Sequence, residues 1–238
     1  HKLLKILILK VLGPQIKYMS IEIGALAPKI KVSEWVQGNP IDTAQEKGNV
    51  VVAEIFQVNC PGCFLYGMPE VINIYNHYRG EAIKVFGLAT AFEDYEKNTL
   101  SNLKLLVSTG EVVGETLRAL REYNQLLPGN KLPYKLPFPI AMDVIVKETF
   151  PITEGKIMDF IEANVEGYRS YDEKEKSALF DRARQYLNLK KYSARTFEEY
   201  SLRGTPSTII IDKKGILRHK GFGANSGLER MVQILLQE

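Results

Sequence analysis

The chain has 238 residues, 45% of them hydrophobic and 25% charged, with 18 Gly and 11 Pro. That mix excludes disordered, collagen-like and coiled-coil chains and is long enough to bury a real core. Its 31 basic and 28 acidic residues leave a net charge of +3, too little for a nucleic-acid-binding stripe, and two cysteines are too few for a disulfide scaffold.

Residues 1–18 are basic and apolar, but Lys5 and Lys10 interrupt the run and Gly13-Pro14 follows it. They read as an N-terminal extension of open origin: upstream sequence, a native extension, or a degenerate signal or anchor. Met19 reads as a start, with one domain expected over 19–238. No window approaches the ~18 apolar residues of a membrane span.

Val50–Val58 is nearly continuous apolar and β-branched, the pattern of a central strand buried on both faces. After Cys60-Pro61-Gly62-Cys63 a helical period begins with Met68, Val71, Ile72, Tyr75 and Tyr78, and it stops at Arg79-Gly80. Ala82–Leu88 is a second strand, so 50–88 predicts a β-α-β unit with parallel pairing. Val113, Leu117, Leu120 and Leu127 predict a helix, and Pro128–Pro139 an extended stretch. Ile157, Phe160, Ile161, Val165 and Tyr168 form another helical stripe. Asp172–Glu175 caps a third helix carrying Phe180, Ala183 and Leu187. Ser207–Asp212, a Lys213-Lys214-Gly215 turn and Ile216–Lys220 predict a hairpin. Ser226–Glu229 reads as a capping box for a last helix with Leu228, Met231, Val232 and Leu235 on one face.

Both cysteines lie in one tetrapeptide between a buried strand and a helix. A structural zinc site needs two more ligands, and the only histidines are His1, His77 and His219. Two inert buried thiols are a further alternative. A redox dithiol is the reading that the C-x-x-C beside a β-α-β pattern favours. A helix N-terminus carries unpaired N–H groups and a positive dipole, which stabilise a thiolate. Cys60, the more exposed sulfur, is then the nucleophile, and Cys63, one turn on, resolves the mixed disulfide. Pro61 suits a first helical turn and Gly62 leaves the sulfur accessible. Glu54 is an acid inside an apolar run, costly unless paired or protonated.

The sequence resembles the thioredoxin superfamily, and within it the TlpA-like (redoxin) thiol–disulfide oxidoreductases. The resemblance rests on Ala27-Pro28…Trp35…Gly38, Gly48-Asn49…Cys60-Pro-Gly-Cys63, Phe138-Pro-Ile-Ala-Met-Asp143 and Tyr200-Ser-Leu-Arg-Gly-Thr-Pro-Ser-Thr-Ile-Ile-Ile-Asp-Lys-Lys-Gly215. It implies an α/β thioredoxin-like fold, a central mixed sheet flanked by helices. It also implies a cis Thr205–Pro206 peptide facing the cysteines, with Thr205 pairing its backbone to substrate; the ordinary alternative is a trans proline opening a hairpin strand. Glu54 takes the place of the acid that relays the proton of the second cysteine; the ordinary alternative is a strand glutamate paired with a lysine. Asn59, Pro61 and Gly62 complete the expected substrate surface. The sequence departs from the family at Asn59, where tryptophan is usual, since the only Trp is Trp35. It departs again at Pro69, one residue late, which predicts a bulge or shifted kink. It departs most in two long, mainly helical segments, about 94–135 and 144–199, expected as a cap, side lobe or dimer interface.

The function this implies is protein-disulfide reduction, with no cofactor beyond the cysteine pair. Its partners are a protein or small-molecule disulfide and a thiol electron donor or acceptor, with no nucleic acid and no membrane span. A peroxidase is disfavoured because Ala53 and Gln57 stand where the peroxidatic motif has proline and threonine. A binding module, for Cu(I) or a protein partner, is the non-enzymatic alternative. The cytoplasm is the default location if Met19 is the start, and an exported location the alternative if residues 1–18 derive from a signal.

Overall fold

The computed structural model describes residues 21–148, 151–165, 167–224 and 227–238. Strands β1 (Val32–Gln37), β2 (Val50–Phe56), β3 (Ile83–Ala89), β4 (Ile140–Asp143), β7 (Ser207–Ile211) and β8 (Leu217–Phe222) form one mixed sheet in the order β1-β4-β3-β2-β7-β8. All seven residues of β2 are buried, Glu54 included, as its nearly continuous apolar sequence predicts. β2 and β3 pair in parallel from Val50↔Ile83 to Phe56↔Ala89, and the expected hairpin is the antiparallel β7–β8 pair.

Alternation along β2 sends Val51, Ala53 and Ile55 into the core on one face of the sheet. Val50, Val52 and Phe56 enter the core on the other, which also holds Cys63, Phe64 and Met68. Glu54, in step with Val52 and Phe56, therefore points to the face that carries the cysteine helix. That helix is α1 (Met68–His77), entered through a π-helical turn at Cys63–Gly67. Pro69 has no N–H to give an i−4 carbonyl and its ring crowds the preceding turn. The wider turn, in which the Met68 N–H bonds to the Cys63 carbonyl, takes up the extra residue.

β3 and β4 are also parallel and need a crossover, supplied by α2 (Leu100–Thr109) and α3 (Gly114–Glu122). Much of 94–135 is thus the enlarged crossover of the sheet itself. The helix predicted from Val113 to Leu127 is shorter than its stripe. Asn124 takes φ +54° and a Schellman pair, Gln125 N–H to Leu120 O and Asn124 N–H to Arg121 O, ends α3. Leu127 is left 51% exposed.

Val146–Ser193 forms a compact unit, and Ile21–Ile145 with Ala194–Glu238 forms another that contains the six-stranded sheet. In the first, α4 (Glu154–Asn164) and α5 (Glu173–Leu189) share a small core of Ile157, Ile161, Val165, Tyr168, Leu179, Ala183 and Leu187. The Asp172/Glu175 capping box opens α5 as predicted. β5 (Ile145–Lys147) and β6 (Tyr192–Ala194) pair where the chain enters and leaves this segment. After β6, α6 (Arg195–Glu199) is docked by Asp143: the buried carboxylate accepts the Thr196 and Phe197 N–H groups at 3.0 and 3.3 Å. The last helix is α7 (Leu228–Gln237); Ser226, its expected cap, lies outside the described residues.

Candidate redox site

β2 ends at Phe56, three residues later the chain reaches Asn59, and Cys60 follows at the head of the helix. Cys60 and Cys63 are joined in a disulfide with their Cα atoms 5.4 Å apart. Cys60 is partly exposed and Cys63 is fully buried, the asymmetry expected of an attacking and a resolving sulfur. The Cys63 N–H donates to Cys60 Sγ at 3.2 Å. That donor and the helix dipole would favour negative charge on Cys60 once the disulfide opens.

The Thr205–Pro206 peptide is cis, and the Thr205 carbonyl oxygen lies 3.5 Å from Cys60 Sγ. Pro206 packs over the start of the helix: a Cβ on Gly62 would meet its Cδ at 3.7 Å, and one on Gly67 would meet its Cβ at 2.7 Å. The chain thus brings Pro206, Gly62 and the cysteine pair together from positions about 145 residues apart.

Glu54 is fully buried. Its Oε2 accepts the Thr208 hydroxyl at 2.7 Å across the β2–β7 ladder, where the two residues are register partners. Its Oε1 has no hydrogen-bond partner among the described residues, and neither oxygen is in an ion pair there. Burial pushes the carboxyl up to about 8, with Glu70 adding to the rise and the Thr208 hydroxyl opposing it. A Cβ on Gly67 would fall on Oε1. Only glycine lets the turn that starts at Cys63 close over the acid. Of the two readings of Glu54 in the sequence, no lysine pairs with it among the described residues and a buried, protonatable acid is present.

Asn59 does not face outward with Pro61 and Gly62. It is 8% exposed, and its amide is bonded to Asp94 and to the Glu115 N–H. Gln57, also buried, accepts the Phe92 N–H at 3.1 Å. His77 is exposed and pairs with Glu229 at 3.0 Å, while His219 lies on β8. Sequence reading missed Thr208, Gly67 and the bonds that Asp94, Asn98, Glu115 and Thr116 make with Val58 and Asn59. Thr208 becomes visible only once the β2–β7 register is known. The others come from a π-helical turn, a loop and the first turn of α3, whose spatial neighbours no local pattern encodes.

Sheet order, helix placement and a disulfide at the strand–helix junction opposite a cis-proline define a thioredoxin-like fold of the kind found in thiol–disulfide oxidoreductases. Among solved structures, one titled a thioredoxin-like superfamily protein is 24% identical, has a TM-score of 0.53 and is matched over 91% of this chain and 98% of its own. A thiol–disulfide isomerase from Corynebacterium glutamicum is 24% identical, with a TM-score of 0.55 over 90% of this chain and 97% of its own. No protein-family model matches the sequence, and no curated protein matches it.

Proposed function

We propose that the chain is a TlpA-like thiol–disulfide oxidoreductase acting as a disulfide reductase. The observation that carries this reading is the asymmetric pair, a partly exposed Cys60 and a buried Cys63, bridged at a helix N-terminus beside cis-Pro206. The Cys60 thiolate attacks one sulfur of a substrate disulfide; that S–S bond breaks and the first substrate thiolate leaves. Cys63 gives its proton to the Glu54 carboxylate and attacks Cys60 Sγ. The intramolecular disulfide forms and the second substrate thiolate leaves. Two electrons pass to the substrate, and an external thiol donor restores them. With its pKa raised to about 8 by burial, Glu54 is mostly protonated at pH 7, so the resolving step gains speed as pH rises. Run backwards, the same protonated acid serves Cys63 as it leaves. Thr205 offers its backbone to an extended substrate segment, and Pro61 and Gly62 line the approach.

The test is Cys63→Ser with a disulfide-bonded protein substrate such as insulin. The variant should accumulate a mixed disulfide through Cys60, seen as a mass adduct removed by dithiothreitol, while Cys60→Ser forms none. Insulin reduction by wild-type protein with no adduct on Cys63→Ser would refute the assignment of the two sulfurs.

A further inference from the structure

β2 leaves the ladder at Phe56, so the backbone polar groups of the three residues before Cys60 need other partners. The Asn59 N–H donates to Asn98 Oδ1 at 2.8 Å, and the Thr116 hydroxyl donates to the Val58 carbonyl at 2.8 Å. The Asn59 side chain closes the arrangement. Its Nδ2 donates to Asp94 Oδ2 at 3.0 Å, and its Oδ1 accepts the Glu115 N–H at 2.7 Å in the first turn of α3. The approach is close enough to demand glycine at Gly114, where φ is +58° and a Cβ would fall on Asn59 Oδ1. The residue before Cys60 is therefore clamped from both halves of the β3–β4 crossover. On the other side, the turn from Cys63 is anchored in the core by Phe64, Met68 and Val71.

Resting on the oxidoreductase reading, we infer that Asn59 is a positioning residue. Its clamp on the crossover holds Cys60 at bonding distance from Cys63 and so sets the redox poise of the pair. Releasing the clamp lets Cys60 sample positions away from Cys63. One sulfur then has a lower effective concentration at the other, and the disulfide is less favoured relative to the dithiol.

The experiment equilibrates the full chain with glutathione buffers and counts free thiols by mass after alkylation. Asn59→Ala should lower the oxidation constant about tenfold, equivalent to a potential about 30 mV more oxidising. Asp94→Gly should move it about threefold in the same direction. Glycine suits the φ of +47° at that position, so this variant also covers the case in which Asn59→Ala does not fold. Asp94→Asn, which keeps an acceptor for the Asn59 amide and removes only the charge, should stay within about twofold of wild type. Urea unfolding of both redox forms completes the cycle: a residue that merely supports the fold destabilises oxidised and reduced protein equally and leaves the constant where it was. Constants for Asn59→Ala and Asp94→Gly within twofold of wild type overturn the proposal, as does an equal shift in Asp94→Asn. A wild-type chain with no reversible disulfide overturns the oxidoreductase reading together with it; an intact wild-type couple with unmoved variants overturns the positioning role alone.

Discussion

Replacing Glu54 with glutamine should remove a large part of the pH dependence of stability. In the folded protein this fully buried carboxyl keeps its proton up to about 8, whereas the exposed group has an ordinary value of 4.5. Between those two values the folded state holds more protons than the unfolded one, so stability falls as pH rises. The contribution is whole below about 4.5 and gone above about 8. At ~1.36 kcal/mol per pH unit, the wild-type protein loses about 3–4 kcal/mol between pH 5 and pH 8 through this group alone. Glutamine keeps an oxygen for the Thr208 hydroxyl but puts N–H groups where Oε1 finds no partner. That costs a further ~1–3 kcal/mol at every pH. The diagnostic is therefore the slope. Urea unfolding of the oxidised protein at pH 5, 6, 7 and 8 keeps both thiols from titrating, and all other groups cancel between wild type and Glu54→Gln. The two stability curves should converge or cross towards pH 8. Parallel curves would mean that Glu54 ionises normally and would remove the physical basis for its role as the proton acceptor.

Thr208→Val removes the hydroxyl that holds the pKa of Glu54 down. The pH at which the resolving step reaches half its maximal rate should rise above that of wild type, read by stopped-flow release of the second substrate thiol; an unchanged or lower midpoint contradicts the proton route. Asp143→Ala strips the acceptor from the Val144, Thr196 and Phe197 N–H groups and from the Thr90 hydroxyl. With these donors left buried, urea unfolding should show a loss of about 3–5 kcal/mol, and Asp143→Asn a smaller one; a loss under ~1 kcal/mol would show that the carboxylate does not hold α6 in place.

The place of the cysteine pair and the scaffold beneath it were legible because they are written in local patterns. A seven-residue run that is apolar at every position but Glu54 reads as a strand covered on both faces, and it ends a few residues before C-x-x-C. The late Pro69 announced the irregular turn because a missing N–H must be absorbed somewhere in the same helix. Local pattern was misleading at Leu127, which kept the helical period while Asn124 had already ended the helix with a left-handed cap. It marked 94–135 as mainly helical without delimiting α2, whose place is dictated by the need to connect two parallel strands.

By itself, the sequence determined where the cysteine pair sits, between a buried strand and a helix, and that an acid stands six residues before Cys60 inside an apolar run. Tertiary structure alone decided what surrounds them. Thr208 became the partner of Glu54 through antiparallel register, Gly67 its cover through the closing of a turn, and Asn59 a clamp through contact with residues 35 to 56 positions away. The division has one cause. Burial and periodicity are properties of a few neighbouring residues, whereas a hydrogen bond between distant segments depends on where the whole chain brings them.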